Sequence, residues 1–149
     1  MNSDNDKNRL LASIAHRPPM LLLDSIVHQT DQQVTCRKTF SPDDFFVQGH
    51  FPDFPLVPGV ILCECALQAG ALLIGSLATS AREDRRQVPV ATRMDAVKFK
   101  KMVRPGDTVD IEVQLNEVVS QAYYLTGKVT VGGKMAARLD FSCTLADPQ

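Results

Sequence analysis

Residues 49 to 68 read Gly-His-Phe-Pro-Asp-Phe-Pro-Leu-Val-Pro-Gly-Val-Ile-Leu-Cys-Glu-Cys-Ala-Leu-Gln. His50 falls in a loop stiffened by Pro52, Pro55 and Pro58, because each proline fixes its own φ and restricts the residue before it. Glu64 follows inside an apolar helix that Pro58-Gly59 opens, where an unpaired carboxylate is costly. Histidine, with an ordinary pKa near ~6.5, suits the work of a general base at neutral pH. A carboxyl withdrawn from water tends to keep its proton, the form a general acid needs. A base and an acid so arranged suit removal of a proton from one carbon and a hydroxyl from the next.

Two further residues belong to this constellation. The helix start at Gly59 offers free backbone N–H groups with the helix dipole behind them, a place to hold a developing oxyanion, and glycine admits close approach. Gln68 lies one turn beyond Glu64 on the same helix face, where it either orients the carboxylate or satisfies a buried backbone group. His16 and Arg17 read as structural residues and His28 as surface.

The chain has 149 residues, 44% hydrophobic and 22% charged, a profile of one soluble domain with a real core. A net charge of −1 supplies no global field for nucleic acid or an anionic membrane. The N-terminus is polar and precedes no apolar signal core, so no secretion signal is expected. Cys36, Cys63, Cys65 and Cys143 form no Cys-x-x-Cys pair. Cys63 and Cys65 point to roughly opposite sides of a helix and cannot pinch one ion. Reduced thiols in the cytoplasm are expected, with no metal and no organic cofactor.

The elements that position these residues follow from periodicity and punctuation. The first dozen residues read as a loose tail running into a short helix over residues 8–14, broken by His16-Arg17-Pro18-Pro19. Strands are expected over residues 20–29 and 33–40, then the proline-rich loop 41–58. Residues 59–78 are apolar on every face. That length would span a membrane, but Glu64 and Gln68 fall inside it, and a mid-membrane acid costs ~2.5–3.5 kcal/mol; a helix buried in a soluble core is the expectation. A solvated loop follows over residues 80–87. A long strand is expected over 88–103, then a turn at Arg104-Pro105-Gly106-Asp107. Strands over 108–119, 122–131 and 134–145 complete a meander, with Gly132-Gly133 as a hairpin turn. A helix apolar all round must be wrapped, so the pattern predicts an α+β fold in which a curved antiparallel sheet wraps one long buried central helix. A second subunit is expected to cover what the sheet leaves bare.

Three stretches carry a family resemblance over residues 16 to 145. His16-Arg17-Pro18-Pro19-Met20-Leu21-Leu22-Leu23-Asp24 resembles an opening HR-P-ll-D segment. Residues 49–68 resemble a long and specific GHFP-x-x-P-x-x-PGV-x-x-x-E-x-x-x-Q core. Asp95-Ala96-Val97-Lys98-Phe99-Lys100-Lys101-Met102-Val103-Arg104-Pro105-Gly106-Asp107 resembles a D-x-x-[KR]F-x-x-x-v-x-PGD segment. The chain thus resembles the FabZ-type 3-hydroxyacyl-acyl-carrier-protein dehydratases.

That resemblance implies a hot-dog fold. It implies dehydration of a (3R)-3-hydroxyacyl thioester on acyl carrier protein to the trans-2-enoyl product, in fatty acid biosynthesis. It matches the catalytic base to His50, the catalytic acid to Glu64 and the oxyanion donor to the Gly59 N–H. Glu at the acid position favours plain dehydration over double-bond isomerisation. The resemblance also implies homodimers joined sheet edge to sheet edge, with hexamers (trimers of dimers) in many members, and it allows His50 and Glu64 to meet from opposite subunits. Cys63 and Cys65 depart from the small apolar residues usual beside the acid, which bears on pocket shape.

Acyl carrier proteins are acidic, so a basic strip could dock one. Lys98, Lys100 and, less cleanly, Arg104 beyond the expected strand fall on alternate positions around Phe99 and form one candidate; Arg82, Arg85 and Arg86 form the rival. Competing functions are an acyl thioesterase of the same fold, a non-catalytic acyl-binding or assembly subunit, and hydration of an enoyl-CoA.

Overall fold

The computed structural model describes residues 3–81 and 87–147. Helix α1 (Ser3–Ser13) occupies most of what reads as a loose tail. Asp4 and Asp6 in its first turn complement the helix dipole, and Leu10 and Ile14 are buried. The Arg17 guanidinium ends it, donating to Ile14 O at 2.8 Å, Leu11 O at 2.9 Å and His16 O at 2.7 Å. Those carbonyls have no intrahelical donor, so Arg17 acts as a cap.

The first strand starts later than its apolar run predicts. Strand β1 covers Ser25–Gln29 only. Leu22 and Leu23 are buried, but the Leu22 N–H donates to the Gln68 side chain rather than to a strand. Asp24 ties this segment to the next strand, β2 (Gln33–Thr39), accepting from Thr39 N at 2.7 Å. The residue-88 strand is shorter than expected: β3 spans Val88–Phe99, and residues 100–103 leave the sheet. Strands β4 (Thr108–Val119), β5 (Ala122–Val131) and β6 (Lys134–Ala146) follow. Gly132 and Gly133 turn the last hairpin with φ of +57° and +76°, a conformation that favours glycine.

The six strands form one antiparallel sheet in the order β1-β2-β4-β5-β6-β3. Irregularities interrupt every pair except β2–β4; such bulges bend a strand and increase its twist, curving the sheet. Alternation sets the inner face: Val109, Ile111, Val113 and Leu115 of β4 are buried while their neighbours are not.

Helix α2 (Gly59–Ala81) packs on that face and touches β2 through β6. By length and composition its segment Gly59–Ala78 could cross a membrane. In the fold it is the core, with Leu62, Ala66, Ala69, Leu72, Leu73 and Ile74 buried. Each large one contributes ~1.5–3 kcal/mol on leaving water. Helix and sheet approach closely at Gly127, where an added Cβ would stand 2.9 Å from Ala66 Cβ. Among the described residues strand β3 pairs only with β6, and Val90, Met94, Val97 and Phe99 along it are exposed.

Candidate active site

His50 stands in the proline loop between β2 and α2. That loop is pinned from both ends: Asp44 accepts from Ser41 N at 2.9 Å, and Val57 N donates to Val103 O at 2.8 Å. The PGD turn supports it, since Gly106 N donates to Phe40 O and Phe40 N to Asp107 O. The imidazole Nδ1 lies 3.1 Å from Leu56 O. A carbonyl only accepts, so the ring proton sits on Nδ1 and Nε2 keeps its lone pair. The fold thereby presents Nε2 as the basic atom.

His50, Gly59, Val60 and Leu62 line a mainly apolar cleft of about 650 Å³, closed on its other side by Phe99 and the segment 100–103. Among the described residues, no acceptor takes the Gly59 N–H, so a helix N-terminal donor and the histidine share one cleft. Space above Gly59 is limited: a Cβ there would stand 2.8 Å from Cε1 of Phe99.

Glu64 is half-buried and does not line this cleft. Its Oε2 accepts from Gln68 Nε2 at 2.8 Å and lies 3.8 Å from His16 Nε2. Gln68 is fully buried, donates also to Met20 O at 2.7 Å and accepts from Leu22 N at 3.0 Å. Gln68 thus bonds the Glu64 carboxylate and two backbone groups together. Among the described residues, no hydrogen bond or ion pair joins His50 to Glu64 within one chain.

The basic residues need correction. Lys98 is the last-but-one residue of β3, beside a bulge with Ala96 at φ +51°, so strict alternation fails there. Lys100 lies beyond the strand and lines the cleft, as does Lys101, which the sequence pattern does not single out. Arg104 stacks over the Phe54 ring at 5.0 Å, beside a separate groove. Arg82, Arg85 and Arg86 fall outside the described residues.

The four cysteines are free thiols in the core. Burial pushes Cys36 up to about 12 and Cys143 to about 11, and raises Cys63 and Cys65 as well. Among the described residues, no group of three His, Cys, Asp or Glu side chains gathers to hold a metal ion.

Comparison with known proteins agrees with this architecture. Residues 14–140 match the FabA-like domain family. The chain is 35% identical over 129 residues to the 3-hydroxyacyl-acyl-carrier-protein dehydratase FabZ of Clostridium perfringens, covering 87% of this chain and 90% of that one. It is 31% identical to the FabZ of Staphylococcus carnosus over 143 residues, covering 95% and 96%. Among solved structures, the dehydratase heterocomplex ApeI:P from Xenorhabdus doucetiae superposes with a TM-score of 0.79 at 19% identity, covering 94% and 91%. The PaaI protein of the E. coli phenylacetic acid degradation operon gives 0.69 at 15% identity, covering 94% and 95%. Both share the hot-dog fold with this chain. Matched along most of its length in sequence and in backbone, the chain belongs to the FabA-like family as a member of FabZ type.

Proposed function

We propose that this protein removes water from (3R)-3-hydroxyacyl thioesters on acyl carrier protein, giving the trans-2-enoyl thioester for fatty acid synthesis in the cytoplasm. The observation that carries the reading is the cleft shared by a tethered histidine, with Nε2 free, and an unpaired helix N-terminal N–H. His50 Nε2 takes the C2 proton while the Gly59 N–H holds the thioester oxygen as charge grows there. The C2 electron pair forms the C2–C3 double bond as the C3–O bond breaks. Glu64 gives its proton to the departing hydroxyl, which leaves as water. His50 ends protonated and Glu64 ionised, and the proton passes back before the next turnover.

Within one chain Glu64 bonds Gln68, lies near His16 and does not line the His50 cleft. This supports a homodimer in which each site takes His50 from one subunit and Glu64 from the other. The bare edge of β3 with its exposed Met94 and Phe99, and the exposed Val60, supply the surface for such pairing. Three such dimers would make a hexamer. Lys100, with Lys98 and Arg104 nearby and Lys101 beside it, is the proposed landing for the acidic carrier. The whole chain works as a single domain.

The test is to incubate the purified protein with 3-hydroxyacyl carrier proteins of several lengths and measure enoyl product and free carrier thiol together. Enoyl product without thiol release is expected. Thiol release without enoyl product would assign a thioesterase instead, and neither product would point to a binding subunit.

A further inference from the structure

We infer that His16 is a positioning residue for the acid: it holds Glu64 Oε2 together with Gln68 and reserves Oε1 for the substrate. This rests on the dehydratase reading above and concerns a residue which that reading does not use.

Two N–H donors converge on one oxygen. Gln68 Nε2 is bonded to Oε2 at 2.8 Å and His16 Nε2 stands 3.8 Å from the same atom, within ion-pair range and just beyond a hydrogen bond. Among the described residues, no hydrogen bond reaches Oε1. The carboxyl is thus anchored through one oxygen and open at the other. His16 itself is preset, because Arg17 ties its carbonyl and those of Leu11 and Ile14 into one capped turn.

Among the described residues, the Glu64 carboxylate is the one polar side-chain group paired with the ring. Its Nδ1 is buried and without a hydrogen bond, an arrangement that is costly to keep. Since the neighbour of Nε2 is an acceptor, the ring proton belongs on Nε2, directed at the acid. His16 also lines a second cavity of about 330 Å³, but its Nδ1 exposes essentially no surface there.

The other titratable groups nearby are Cys63 and Cys65, flanking Glu64 in the chain, with Asp24 and Lys38 of the β1–β2 region acting on Cys65. Lys38 is paired with Asp24 at 3.7 Å, which leaves His16 as the basic group directed at the acid. When Glu64 surrenders its proton from Oε1, negative charge spreads to Oε2. Both donors then tighten, so His16 contributes more after proton transfer than before it.

The test compares His16→Phe with His16→Gln in the intact protein, following kcat and KM against pH. His16→Phe is expected to lower kcat about tenfold with KM little changed. His16→Gln keeps an N–H near the position of Nε2 and should recover most of kcat. Unchanged kcat in His16→Phe, or equal losses in both variants, would overturn the inference while leaving the dehydratase reading intact. A wild-type protein without dehydratase activity would instead overturn that reading.

A second measurement does not depend on how His16→Phe folds. The chain has three histidines, so ¹⁵N-histidine labelling resolves them. His16 should show the Nε2–H tautomer, and its signals should move on Glu64→Gln. A His16 that is Nδ1–H, or indifferent to Glu64→Gln, counts against it.

Discussion

Gln68 gives its side-chain N–H to Glu64 Oε2 at 2.8 Å from one helical turn away, and the same amide is locked to the backbone of the segment before β1. The acid is therefore oriented by a residue that also stitches α2 to the chain at Met20 and Leu22.

Replacing Gln68 by Leu should cost stability as well as activity. It leaves the buried Leu22 N–H and the Met20 carbonyl without their partner, at ~1–3 kcal/mol for each group left unsatisfied. A loss of ~2–5 kcal/mol in urea unfolding is expected. A loss under ~1 kcal/mol would mean that water replaces the amide at no penalty.

Two glycines separate folding from catalysis. At Gly127 an added methyl meets Ala66 Cβ at 2.9 Å, on a helix held between five strands, and neither side yields easily. Gly127→Ala should destabilise by ~1–3 kcal/mol. At Gly59 the atoms nearest the methyl all belong to the ring of Phe99, a side chain that can turn. Gly59→Ala should fold nearly as well as the wild type yet lose activity, because the methyl fills the cleft beside the proposed oxyanion donor. Thermal melts and turnover on the two variants check the contrast, and equal melting temperatures would refute it.

Strands β4 and β5 were legible to the residue because apolar positions alternate from Val109 to Leu115 and from Leu125 to Val131, and tight turns end them at Ser120-Gln121 and Gly132-Gly133. The run Leu21-Leu22-Leu23 reads as strand for the same reason it is buried, being apolar, yet its backbone partner is a side chain far along the sequence. Local pattern carries no sign of that. The end of β3 was misjudged because bulges at Asp95–Lys98 break the period of two on which the lysine strip rested. His50, Gly59, Glu64 and Gln68 stood out because their spacing sits in one continuous motif. His16 did not, since its meeting with Glu64 depends on how the chain turns after α1.

The buried thiols predict alkaline sensitivity. Cys36 is pushed up to about 12 and Cys143 to about 11 from an ordinary 9.0, because burial disfavours the thiolate. Above pH ~9 the unfolded chain sheds these protons while the folded chain keeps them, so the folded state binds more protons and stability falls as pH rises. At pH 8 a thiol reagent should modify none of the four cysteines until denaturant is added. Rapid modification of the native protein at that pH would show that the core opens around them.

The proposed sharing of the site between subunits makes the sharpest prediction. His50→Ala and Glu64→Gln should each fold and each lose ~10²–10⁴-fold in turnover, since each removes the proposed base or acid. Glu64→Gln keeps size and hydrogen-bonding capacity, so its fold should be at least as stable. Now let the two inactive proteins be mixed, dissociated and reassembled. In a mixed dimer with crossed sites, one site receives both lesions and the other receives neither. Random pairing puts about half of the dimers in mixed form, so about a quarter of wild-type activity should return. If His50 and Glu64 of one subunit served the same site, every site in the mixture would carry one lesion, and activity would stay at the level of the single variants. Analytical ultracentrifugation of the mixture, run beside the assay, verifies that dimers have reformed, so that silence in the assay speaks against the crossed site and not against reassembly.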